Sequence, residues 1–201
     1  MIAALAKLLD GLERRSTWKN AAVAVGCIGL VNLVMGRYIL PTIEARRPEA
    51  LEDGFLVMID LRPLASVEEV YRVFDLYQPD ILGLVRLLYA LDFVTPLAFA
   101  VGLMCLLGKL LRYLGVTEGW RAALLLPFVA LVFDCMENGL CLFLISRYQD
   151  GQVFPGLARV ASVVTAGKFI GLAATGLMLV VLLLRAAVKR VGRSAGGPRR
   201  A

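Results

Sequence analysis

The chain has 201 residues, of which 59% are hydrophobic and 19% charged. Its mean hydropathy of +0.75 means far more apolar surface than one soluble core of this size can bury. It carries a net charge of +6 and no histidine, which excludes Ser-His-Asp and Cys-His catalysis, histidine-ligated zinc or haem, and the H-E-x-x-H proteases. The four cysteines, Cys27, Cys105, Cys135 and Cys141, all lie in apolar stretches and form no C-x-x-C pair. They read as small buried hydrophobes rather than redox or zinc ligands.

In chain order, residues 1–18 place Ile2, Leu5, Leu8, Leu9 and Leu12 on one helical face and Lys7, Asp10, Arg14 and Arg15 largely elsewhere. That pattern predicts an amphipathic segment lying along the inner membrane surface. The apolar run that follows is too long for a cleavable signal and is expected to be a retained span over 19–40. An external connection over 41–80 contains the apolar run Phe55 to Ile59, which suits a strand or a flap, followed by Arg62-Pro63. Ser66-Val-Glu-Glu69 then matches a capping box, so a helix should start there. Val67, Val70, Tyr71 and Phe74 share its apolar face, which should cover the outer mouth of the bundle or lie on the outer leaflet.

Three more apolar stretches of spanning length follow, at about 84–109, 120–146 and 157–185. Pro96 and Pro127 are expected to bend the second and third spans. The short connection from Ser146 to Gly156 should make the third and fourth spans antiparallel neighbours. Gly26, Gly29 and Gly36 in the first span, and Gly167, Gly171 and Gly176 in the fourth, permit close helix approach. Gly167-x-x-x-Gly171 matches a GxxxG pattern, read here as packing within the bundle. Residues 186–201 form a basic tail, expected to be unstructured and drawn to anionic inner-leaflet lipid. The fold class is therefore all-α, a four-helix transmembrane bundle occupying 19–185.

Charge distribution sets the expected orientation. Thirteen Lys and Arg fall in the N-terminal segment, the second connection and the tail. The other two connections carry ten Asp and Glu against five Arg. The positive-inside rule puts both termini in the cytoplasm, as an even number of spans requires, with the long loop outside an inner (plasma) membrane. The positive charge is thus accounted for by the membrane surface, and the expected partner is membrane lipid rather than nucleic acid.

The residues that carry information about function are those a lipid-facing helix should not contain. Counted inward from the outer ends at about 1.5 Å per residue, Asn32, Asp92, Asp134, Glu137, Asn138 and Lys168 lie roughly 10–18 Å deep and come from all four spans. Asp134, Glu137 and Asn138 share one helical face by i, i+3 and i+4 spacing, while Thr95 and Thr165 sit one turn from Asp92 and Lys168. Four unpaired ions at mid-membrane would cost about 10–14 kcal/mol, so they must face one another. Lys168 neutralises one acid of three, leaving protonated carboxyls, a descending Arg86 or Arg159, or a bound cation to balance the rest. A hard divalent ion suits carboxylate oxygens, but the lysine would repel it. No cofactor is expected, and neither a phosphate-binding glycine loop nor a D-x-x-x-D alcohol-transferase pattern is present. Ser162 and Thr165 are the available hydroxyl nucleophiles.

At these residues the chain resembles an uncharacterised group of small bacterial four-span membrane proteins. The resemblance runs from about Ser66 to Leu172 and rests on the S-x-E-E-V-Y helix, Leu91-Asp92-Phe93 with Pro96, Phe133-Asp134-x-x-Glu137-Asn138 and Thr165-x-x-Lys168. It implies the architecture and the polar layer, and no activity. The layout is also superficially similar to claudin-type tetraspans, without a cysteine in the loop. Three function classes follow: a membrane protein that binds or moves a proton, cation or lipid-like ligand at the polar layer; a structural subunit whose layer is a bundle clamp; and an intramembrane lipid-modifying enzyme.

Overall fold

The computed structural model describes residues 11, 14, 15, 17–46, 50–52, 55, 56, 58, 62–77, 81–115 and 118–195. The amphipathic segment expected over 1–18 lies almost wholly outside these residues. Among them, four helices are long and apolar enough to cross a membrane: Trp18–Arg46, Leu82–Leu114, Ala122–Gln149 and Pro155–Val191. The only strands among the described residues are a two-residue antiparallel pair, β1 (Leu51–Glu52) with β2 (Phe55–Leu56), in the long connection.

The first span is helix α1 (Trp18–Val34), capped by the Thr17 side chain on the Asn20 amide. A π-helical turn, Met35–Ile39, continues it into α2 (Leu40–Arg46), so the helix runs past residue 40, where the apolar stretch suggested an end. The second span breaks into α4 (Leu82–Leu91) and α5 (Val94–Leu114), after α3 (Val67–Tyr77) in the loop. The break is local chemistry: Pro96 has no N–H to give the Asp92 carbonyl, so the helical ladder fails at Asp92-Phe93. Pro127 behaves differently from the expected mid-span bend. The third span enters through a short helix α6 (Glu118–Arg121) and a 3₁₀ turn, Ala122–Leu125, and Pro127 lies in the first turn of α7 (Leu126–Gln149), where a missing N–H costs little.

The fourth span, α8 (Pro155–Ala195), is one continuous helix. It carries the first part of the basic tail in helical form as far as Ala195, where an unstructured segment was expected. Arg185 stacks on the Trp120 ring, and Lys189 donates to the Tyr113 and Leu114 carbonyls at 2.8 and 2.9 Å. Those carbonyls end α5, where Gly115 turns left-handed at φ 64°, so a cation from α8 satisfies the end of a neighbouring helix.

α7 and α8 are the most intimate pair, α5 packs on both, and α1 packs along α5. GxxxG acts within the bundle as expected. A Cβ on Gly171 would sit 3.2 Å from the Ala130 Cα, and one on Gly167 would sit 2.7 Å from the Phe133 ring. A Cβ on Gly26, Gly29, Gly36 or Gly176 would meet nothing within 4 Å among the described residues, so the close approach within the chain is at Gly167 and Gly171.

Helix α3 closes one end of the bundle. The Glu69 amide donates to Ser66 Oγ at 3.2 Å and the Ser66 amide donates to Glu69 Oε2 at 3.1 Å, which completes the capping box. Val70, Val73, Phe74 and Tyr77 are buried in the main core with Val85, Leu88, Leu144 and Ile145. Tyr148 donates to Asp75 at 2.6 Å and the Phe154 amide donates to Tyr71 at 2.7 Å, fixing the helix to the turn between α7 and α8. Ahead of it, Arg62 to Ala65 form a turn with Leu64 at φ 62°, a left-handed backbone that costs a leucine about 1–2 kcal/mol. Two bonds to α8 hold it: Leu64 N to the Ser162 carbonyl at 3.3 Å, and Ser162 Oγ to the Ala65 carbonyl at 2.9 Å.

Removing the cap with Ser66→Ala should cost about 0.5–2 kcal/mol of local stability, read as faster amide exchange across 67–75; unchanged exchange there would show that the box contributes nothing. Backbone and Ser66 hydrogen bonds hold the exposed Glu68 carboxyl below its ordinary value. Its contribution is therefore complete above the ordinary glutamate value and is lost as pH falls through the lower folded one. Protection factors at the start of α3, corrected for the pH dependence of intrinsic exchange, should fall over that acidic window in the parent and not in Glu68→Gln.

Candidate functional site

The main apolar core lies at the loop end of the bundle, and a second cluster of Leu107, Leu111, Leu124 and Leu182 lies toward the chain termini. Between them α7 turns Asp134, Glu137 and Asn138 toward α5 and α8. The close approach at Gly167 and Gly171 brings Lys168 of α8 opposite. Lys168 Nζ lies 2.5 Å from Glu137 Oε2 and 3.4 Å from Asp134 Oδ1. Thr165 donates to the other Glu137 oxygen, Oε1. Glu137 is fully buried and Lys168 is 6% exposed, whereas the Asp134 side chain keeps 18% exposure. The lysine therefore belongs first to Glu137 and only secondarily to Asp134.

Asp92 occupies the helix break between α4 and α5, half-buried. Asn138 Nδ2 donates to its Oδ2 at 3.0 Å. The fully buried Asn138 keeps its Oδ1 without a hydrogen-bond partner among the described residues. Asp134 and Lys168 lie within electrostatic range of Asp92, and the Thr95 hydroxyl is beside it. A cavity of about 20 Å³, lined by Pro96, Ala100, Pro127, Ala130, Asp134 and Leu172, adjoins Asp134, large enough for a single water.

Five of the six residues selected from sequence thus converge: Asp92, Asp134, Glu137, Asn138 and Lys168. Asn32 does not. It is exposed on α1 and returns its amide to the Ile28 carbonyl of its own helix at 2.9 Å, because α1 runs along α5 rather than into the α5–α7–α8 core. The three carboxylates also fail to meet at one point: among the described residues no group of three or more His, Cys, Asp and Glu could hold a metal ion. The two candidate hydroxyls have structural tasks. Ser162 Oγ bonds the Ala65 and Ala158 carbonyls, and Thr165 engages Glu137. The tie between Ser162 and the Leu64 turn was not foreseen, and only the unexplained Arg62-Pro63 turn signal pointed toward it.

No family model, no curated protein and no solved structure matches this chain.

Lys168→Met strands a buried carboxylate and should lower stability by about 3–5 kcal/mol. Adding Glu137→Gln should recover most of that loss, and adding Asp134→Asn much less, because the short contact goes to Glu137. Thermal unfolding of the purified variants in detergent checks the ranking, and equal rescue by the two second changes would refute the assignment.

Proposed function

We propose that this is a multi-pass plasma-membrane protein with both termini cytoplasmic, which binds or moves a proton or small cation at the carboxylates that Lys168 leaves unneutralised. The observation that carries this reading is the division of labour in the polar layer. Glu137 has the short ion pair with Lys168 and accepts from Thr165, whereas Asp92 and Asp134 have longer or neutral contacts and retain partial exposure. A clamp needs one acid per lysine, and carboxylates in excess of that at mid-membrane are what a proton relay or cation site requires. The broken helix at Asp92, with a carbonyl that Pro96 cannot satisfy, supports the same reading, because unwound backbone at membrane depth supplies oxygen ligands. A lipid-like ligand with a cationic headgroup fits the charge, but the space of about 20 Å³ beside Asp134 suits a proton, a water or a bare ion better.

The alternative with a specific observation in its favour is a structural subunit, since the fully buried Glu137–Lys168 pair by itself serves as a bundle clamp. A lipid-modifying enzyme is the weakest of the three classes, because the Ser162 hydroxyl is occupied by two backbone carbonyls and has no base beside it to activate it.

Infrared difference spectroscopy of the reconstituted protein, titrated with pH and with Na⁺ or K⁺, separates the readings. A carboxyl band that responds to the titration and disappears in Asp92→Asn, with thermal stability nearly unchanged, is the expected result. A layer silent to pH and to both ions would leave only the clamp. For orientation, a cysteine at Glu52 should react with an impermeant thiol reagent from outside intact cells and one at Arg193 should not; labelling at 193 would overturn the topology.

A further inference from the structure

A second cavity lies outside the α5–α7–α8 core and reaches Val94, two residues beyond Asp92. It is a groove of about 270 Å³ between α1 and α5, open at the side, and its lining includes Asn20, Ala24, Cys27, Leu97, Ala98 and Val101. Nearly all of that lining is apolar, and the one polar residue, Asn20, is at the end nearest the chain terminus. From Asn20 to Cys27 the groove extends roughly 10 Å along the helix axis.

The mouth at the Asn20 end has a different character. Trp18, 69% exposed, has Lys109 Nζ 5.1 Å from its ring centroid, and Lys19 is the residue between Trp18 and Asn20. Arg14 and Arg15 are exposed just before them. Exposed Trp with Lys and Arg marks the boundary between headgroups and hydrocarbon, and Lys109 lies about 12 Å along α5 from Val101 toward that boundary. Cationic side chains, then one polar amide, then a wholly apolar trough reproduce in order the phosphate, glycerol-ester and acyl layers of a phospholipid. The trough is also built into the fold: α1 packs along α5, where a Cβ on Gly102 would lie 3.8 Å from the Ala24 Cβ, so the small residues that let the helices meet also leave the space beside them.

We propose that this groove is a binding site for one anionic phospholipid, its acyl chain lying between α1 and α5 and its phosphate facing Lys19 and Lys109. The lipid completes the packing of the first span on the bundle. None of the polar-layer residues lines the site.

Cys27 lines the groove and provides a direct probe. Full-length protein in detergent is alkylated with N-ethylmaleimide, and each cysteine is followed by peptide mass spectrometry with palmitoyl-oleoyl phosphatidylglycerol, the matching phosphatidylcholine, or soluble glycerol phosphate added. Phosphatidylglycerol should slow Cys27 about tenfold more than phosphatidylcholine does, as two lysines near a headgroup phosphate allow, and should leave Cys135, on α7, unchanged. Glycerol phosphate should not protect Cys27, because it has no chain to fill the trough. Lys19→Gln with Lys109→Gln should abolish the preference between the two lipids. Equal protection by both lipids, protection by glycerol phosphate, a preference that survives the double substitution, or no protection at all would each overturn the assignment.

Discussion

A lysine buried in apolar surroundings is tolerable only beside an ionised partner, and the contact between Lys168 and Glu137 is the constraint around which this bundle is arranged. It demands that α7 and α8 approach within side-chain reach at mid-depth. Gly167 and Gly171 supply the approach, since any side chain there would meet Phe133 or the Ala130 backbone. Thr165 occupies the remaining Glu137 oxygen. With that pair fixed, the face of α7 that bears Asp134 and Asn138 is also fixed, and Asp92 on the neighbouring helix finds its partner in Asn138.

Above the pair, the loop end is closed by elements that converge on α8. The turn at Leu64 is bound to Ser162, one helical turn before Thr165, and α3 covers the main core, its Tyr71 and Phe74 forming an aromatic group with Tyr148 of α7. A left-handed leucine persists only where its surroundings hold it there, and here hydrogen bonds to a transmembrane helix do so. Below the pair, cations at the terminal end stack on Trp18, Trp120 and Tyr113, which anchors the helices at an interface without adding charge to the core. The polar layer is thus held between an apolar plug and an aromatic belt.

The consequence is an unequal polar layer. Glu137 is buried against Lys168 at short range; Asp134 has only the longer contact to the same lysine, Asp92 has the neutral Asn138, and both keep partial exposure. Stability and chemistry can then reside on different residues of the same layer, so that Glu137 and Lys168 can be required for folding while Asp92 and Asp134 remain available for a proton or an ion. The first span stands apart from this arrangement. It contributes Ile39 and Ile43 to the main core at the loop end, but along its N-terminal half it rests on α5, beside a groove that the protein does not fill for itself.

Composition and periodicity by themselves determined the number of apolar helices of spanning length, the capped helix of the long loop and five of the six residues in the polar layer, because each depends on local properties: apolar length, helical spacing, and the cost of a charge in hydrocarbon. Asn32 was misplaced because depth along a helix is written in the sequence whereas rotation about its axis, and the neighbour it faces, is not. Pro96 and Pro127 looked equivalent for the same reason, yet one breaks a helix in mid-span and the other begins one. Which acid Lys168 selects, which hydroxyl holds the loop and where α1 leaves a groove were decided only by tertiary packing. Each is set by distances of a few ångströms between helices far apart in the chain.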